Sequence, residues 1–188
     1  MDYENEEEVA RYDARMHLLR DIEGEIKTVL QATSPRSESL VLEIGTGTGE
    51  FAAALAAICR QVHAVDVSQT MLAYARKKLR ERGISNIEFH HGGFLSCPDF
   101  PEQFDIIFSQ LALHHLPDFW KSIALRKVAK MLKPSGIFFL KDVVYPSGLD
   151  DYDVHFNSII EGFENAVGPR FTTEIIGHIK KEYSTLNW

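Results

Sequence analysis

The sequence predicts an α/β domain with a doubly wound, mainly parallel sheet and helices on both faces. Short apolar runs alternate with longer segments of helical periodicity. The first run, Val41 to Ile44, falls directly into a loop with glycine at 45, 47 and 49, and an Ala-rich helical segment from Phe51 to Cys59 follows. The second run ends on an acid, Asp66. Strand, glycine loop and helix together build a site for a small charged ligand. Glycine lets the backbone turn sharply and approach the ligand, and the helix N-terminus offers free N–H groups.

The elements can be justified in order. Asn5 and Glu8 have the capping pattern of a helix start, and the glutamates suit its first turn. Val9, Tyr12, Met16, Leu19, Ile22 and Ile26 recur at spacings of three or four, which predicts one N-terminal helix within residues 1–31. A polar connector, residues 32–39, leads to strands near 40–45, 61–66, 86–91, 104–109 and 136–143. A helix from Ser68 to Arg82 closes at Gly83. Ile123, Val128, Met131 and Leu132 form the apolar face of the next, which Lys133-Pro134-Ser135-Gly136 stops. Right-handed crossovers give a Rossmann-like sheet of order 3-2-1-4-5, with the ligand at the strands' C-terminal edge.

The tail reads as helices, Tyr152 to Val167 and Phe171 to Tyr183, broken at Gly168-Pro169. Nothing after residue 145 reads as a strand, so either the chain is truncated, with C-terminal strands missing, or the sheet has five strands. The apolar fifth strand would then lie at an edge, covered by the tail helices or by a second copy in a homodimer. The whole is expected to be one domain, 1–188: the helix in 1–31, a ligand-binding core in 38–146, and helices in 147–188.

Composition narrows the function. Of 188 residues 45% are hydrophobic, yet no apolar run is long enough to span a membrane. The net charge of −7 argues against a nucleic-acid partner, and the basic stretch Arg76 to Arg80 reads as a solvated helix face. An acidic N-terminus is unlike a secretory signal, and two cysteines, Cys59 and Cys97, make no disulfide framework. A cytoplasmic protein is expected.

The ligand is read from the loop. A dinucleotide fingerprint, G-x-G-x-x-G, needs a third glycine at position 50, where the chain has Glu50. Glu43, Gly45, Gly47 and Gly49 instead form an E-x-G-x-G-x-G pattern. This resembles the first motif of class I S-adenosylmethionine (SAM)-dependent methyltransferases of the small-molecule type. The resemblance runs from about residue 38 to 146 and includes Asp66, the stretch from Phe104 to Asp118, and Lys133-Pro134-Ser135-Gly136 in place of the usual Lys-Pro-Gly-Gly.

The resemblance implies S-adenosyl-L-methionine as cofactor, S-adenosyl-L-homocysteine as product, and a small-molecule methyl acceptor whose identity it does not give. Glu43 would favour the cofactor's ammonium or brace the loop. Asp66 would accept hydrogen bonds from the ribose hydroxyls, or cap the helix that begins near Ser68. The family usually reads Gly-Asp at the third strand's end, and here Gly93 replaces the aspartate that meets the adenine amino group. The Phe94 backbone could still donate to the adenine ring. Thr46, Val67, Met71 and Gln110 complete the expected cofactor set, with Tyr12 as an aromatic lid or a core residue.

Methyl transfer needs a base only if the acceptor must first lose a proton. His114 and His115 after the fourth strand are the candidates, against a reading in which they pack the loop; Asp142 in the fifth strand and Tyr12 on the N-terminal helix are further candidates. No metal site is expected, because His90-His91 and His114-His115 are chain neighbours that point to opposite faces. Two other functions remain open. One is a non-catalytic SAM- or product-binding module, favoured by Gly93. The other is an NAD-dependent oxidoreductase, disfavoured by Glu50.

Overall fold

The computed structural model describes residues 5–142 and isolated positions between 157 and 173. Five helices are named in chain order: α1 (Glu6–Leu19), α2 (Ile22–Thr33), α3 (Glu50–Ala56), α4 (Gln69–Glu81) and α5 (Asp118–Met131). The strands are β1 (Leu40–Ile44), β2 (Gln61–Asp66), β3 (Ile87–His91), β4 (Phe104–Gln110) and β5 (Leu132–Lys141). They form one parallel sheet of order β3-β2-β1-β4-β5, as the sequence predicts.

Period-two alternation divides the core between the two faces. Val41, Val62, Ala64, Ile106 and Phe108 meet Phe51, Ala52 and Leu55 of α3 and Ile22 and Val29 of α2. Leu40, Leu42, Ile44, Val65 and Ile107 meet Ala124 and Val128 of α5, with Phe94 and Cys97 from the β3–β4 connection. All of β1 is buried, as befits a central parallel strand. No described helix is long and apolar enough to cross a membrane.

Two expectations are corrected. The single N-terminal helix is two helices, because Arg20 is extended (φ −129, ψ 139) and the Asp21 side chain restarts the helix by accepting from Gly24 N. Apolar spacing runs on across that break, so periodicity alone could not reveal it. The fifth strand begins at Leu132, not 136, and absorbs Lys133 to Gly136 through a register shift opposite Phe104 and Ile106. Pro134 is tolerated there because β5 is an edge strand among the described residues. The predicted tail helices, 152–167 and 171–183, and their cover for β5 lie largely outside the described residues.

Candidate active site

The loop after β1 is held in a conformation that needs glycine. Gly45, Gly47 and Gly49 take φ of +85°, +54° and +81°. Gly45 N donates to Val65 O at 2.8 Å, and a Cβ on Gly45 would stand 2.4 Å from that of Ala112. A Cβ on Gly47 would meet nothing within 4 Å, since Gly47 borders a cavity. Gly49 caps α3 and packs on Leu79 and Ala75 of α4, and it is not among the cavity's lining residues.

Two acids anchor this loop. Glu43, fully buried, accepts from Thr46 Oγ1 at 2.8 Å and from the Ala52 N–H, which are the contacts of a brace. Burial pushes its carboxyl up to about 8, with the Asp66 charge adding to the rise. Asp66 accepts from Gly47 N through Oδ2 and from Ser68 N through Oδ1, both at 2.8 Å. The α4 cap itself is Ser68, whose hydroxyl accepts from Met71 N at 3.3 Å. Burial raises the Asp66 carboxyl, and the two backbone N–H groups oppose that rise. Each oxygen keeps a lone pair for a further donor.

The cavity, about 760 Å³, opens at the C-terminal edge of β1, β2 and β4. Tyr12, Glu43, Gly45, Thr46, Gly47, Asp66, Val67, Met71, Gly93, Phe94, Gln110, His114 and His115 all line it, so the structure brings together every predicted site residue except Gly49. Tyr12, Asp13 and Met16 place α1 over it as a roof. Burial raises the Tyr12 phenol. A Cβ on Gly93 would meet only the Cγ1 of the exposed Val67 side chain, at 2.8 Å.

Sequence reasoning missed a polar group of residues around this cavity. Asp13 accepts from Thr48 Oγ1 at 2.5 Å and from Lys78 Nζ at 3.0 Å, and Lys78 also reaches Glu50 Oε1 at 2.8 Å. Glu25 pairs with Arg20 and with Lys141 Nζ, and accepts from Gln110 Nε2 at 2.7 Å. Burial works to raise the Glu25 carboxyl, but Arg20, Lys141 and Gln110 hold it below the usual range. The donation from Gln110 fixes its amide and leaves the buried Oε1 with no hydrogen-bond partner among the described residues. The one available signal for Asp13 was a charge inside the apolar repeat of α1.

On the far side of the cavity, Asp142 holds His114. The imidazole Nδ1 lies 2.6 Å from Asp142 Oδ1, and His114 N donates to Asp142 Oδ2 at 3.1 Å. Nδ1 is thus the ring nitrogen engaged by the carboxylate, and Nε2 is the other. Leu111, in the same loop, takes φ of +54°, a strained conformation for a residue with a side chain.

These features fit an adenosyl amino-acid cofactor. A carboxylate at the end of β2 suits vicinal ribose hydroxyls, the orphaned Gln110 oxygen suits an ammonium, and buried Phe94 lies where an adenine edge would come. The fold and the chemistry of the cavity therefore fit a class: Rossmann-like α/β domains built around such a cofactor.

Comparison with known proteins narrows the class. Residues 41–136 match the methyltransferase domain family. An uncharacterized methyltransferase of Bacillus subtilis (strain 168), YcgJ, is 34% identical over 140 residues, covering 73% of this chain. Its crystal structure superposes with a TM-score of 0.64 at 32% identity, over 73% of this chain and 59% of that one. A putative methyltransferase from Bacillus halodurans C-125 gives 0.63 at 27% identity, over 73% and 58%. DhpI, solved as a complex with SAM and HEP, gives 0.60 at 25%, over 77% and 65%. The chain spans 54% of the length of the B. subtilis relative. It belongs to the class I SAM-dependent methyltransferase family.

Proposed function

We propose that this chain binds SAM in the cavity under α1 and transfers its methyl group to a small-molecule acceptor. The observation that carries the reading is the convergence of the Asp66 carboxylate, the glycine loop and the unpartnered Gln110 oxygen on one cavity. When bound, the cofactor supplies a methyl group on a cationic sulfur, already a good leaving group. The protein's part is alignment, which can contribute up to roughly 7–11 kcal/mol. Asp66 accepts from the ribose hydroxyls, Gln110 Oε1 from the ammonium, and the Phe94 backbone donates to the adenine edge. Tyr12 closes the cavity from α1. His114, turned by Asp142, takes a proton from the acceptor at Nε2 where the acceptor carries one.

Cys59 and Cys97, buried and unpaired, support a reducing, cytoplasmic setting, and burial pushes both thiols up to about 11. The test is calorimetric titration with SAM, S-adenosylhomocysteine and NAD in parallel, followed by turnover on small phenols, amines and acids. Binding of SAM or its product without NAD, together with turnover, supports the reading. Binding of SAM without turnover on the panel favours a non-catalytic module, for which Gly93 is the specific motive.

A further inference from the structure

A second cluster of ligating side chains lies away from the cofactor cavity and shares no lining residue with it. In the β2–β3 register His63 stands opposite Glu88 and Val65 opposite His90. Period-two alternation therefore puts His63, Glu88 and His90 on one face of the sheet. The donor atoms converge. His63 Nδ1 and His90 Nε2 are 2.9 Å apart, and Glu88 Oε2 lies 3.6 Å from the first and 3.8 Å from the second. Donors bound at about 2.0–2.1 Å to a tetrahedral zinc ion stand about 3.3 Å from one another. The ring nitrogens need to part by only a few tenths of an ångström, and the carboxylate to close by about as much.

We propose that His63, Glu88 and His90 bind a divalent transition-metal ion of the zinc type, with water completing its coordination. Two imidazoles and one carboxylate are a borderline-soft donor set that suits such an ion over magnesium or calcium. The setting is right as well. Phe100 packs in T-shaped geometry against both imidazoles, at centroid distances of 4.9 Å from His63 and 5.2 Å from His90. With His63, Glu88 and His90 it lines a cavity of about 570 Å³, which gives an ion and its waters a way in. Burial lowers both imidazoles from the ordinary histidine value. The pair now shares one proton between the facing nitrogens. Binding requires that proton to move to the far nitrogen of its own ring, a change of tautomer with no net release.

The sequence expectation of no metal weighed neighbours along the chain, whereas this set forms across strands. His91, next to His90, points away and contacts Val67 O at 2.9 Å. Another three-residue group, Asp13, His17 and Glu50, is already occupied by the Lys78 ammonium and carries no such proposal.

The experiment is titration of chelator-treated full chain with ZnCl2, and with CoCl2 followed by visible absorption, alongside Glu88→Gln and His90→Asn. Glu88 is exposed, so its variant tests the ligand set without disturbing the core. Thermal midpoints of the metal-free variants check that each is folded. The expected result is one equivalent of Zn2+ bound, the cobalt absorption of a low-coordinate site, and affinity reduced about tenfold or more in each variant. No stoichiometric binding overturns the proposal. So does an affinity left unchanged by either folded variant, since the ion would then sit elsewhere.

Discussion

The Gly47 N–H donates to Asp66 Oδ2 across 2.8 Å, tying the loop after β1 to the end of β2. The carboxylate therefore shapes the loop on which the proposed cofactor would lie, in addition to the ribose contact proposed for it. Asp66→Ala is expected to weaken SAM binding by about 1–3 kcal/mol, the range for lost hydrogen bonds and stranded donors. Asp66→Asn should not rescue it, because its one carbonyl oxygen cannot replace both carboxylate oxygens and its NH2 would face a backbone donor. Calorimetry on the two variants checks this, and unchanged affinity would remove Asp66 from the cofactor site.

Gly47 and Gly45 should separate binding from folding. A side chain at Gly47 has room but must hold left-handed backbone, at a cost of about 1–2 kcal/mol. Gly47→Val should therefore fold and fail to bind SAM. Gly45→Ala combines the same strain with an overlap on Ala112, and should lower the thermal midpoint more than Gly47→Val does. The opposite order would mean that the loop is looser than its hydrogen bonds indicate.

Glu43 predicts a pH dependence. Its folded carboxyl titrates at about 8, above the model-compound value of 4.5, so the folded chain keeps a proton that the unfolded chain releases. The stability from this group is complete below pH 4.5 and is lost as pH rises through about 8. The loss is on the order of a few kcal/mol. Glu43→Gln, whose amide oxygen can still accept from Thr46, should flatten the fall in thermal midpoint between those limits. Parallel curves for the two proteins would show that Glu43 is ionised when folded.

The His114–Asp142 pair predicts an effect on turnover with cofactor affinity unchanged. Once an acceptor that must lose a proton is known, His114→Asn should lower kcat by roughly 10²–10⁴-fold. Asp142→Asn should lower kcat in the same direction, by freeing the ring. SAM affinity by calorimetry should hold in both. Undiminished kcat would assign the histidine to loop packing.

The parts legible in the sequence were those carried by local pattern. Strand order followed from apolar runs and crossovers, and the glycines and Asp66 announced the loop by spacing. The break at Arg20 was hidden because helical periodicity continues through it. Alternation along a loop does not say which glycine borders the cavity and which, like Gly49, packs on a helix. Asp13 with Lys78, and Asp142 with His114, pair residues 65 and 28 positions apart. His63 and His90 meet only through strand register. Such encounters are products of tertiary structure, and a sequence shows the partners without the meeting.

The roof over the cavity is fastened by charge as much as by apolar contact. Besides the largely buried Asp13–Lys78 pair, α1 reaches across through an exposed pair from Glu6 to Lys77 at 3.2 Å. Exposed pairs weaken as the Debye length shrinks, from about 10 Å at 0.1 M to 3 Å at 1 M ionic strength, and buried pairs much less. The cofactor proposed to bind under α1 is thus kept behind a latch that dissolved salt loosens in part. Its residence time should shorten with added salt even though the ligand's own contacts are unaltered.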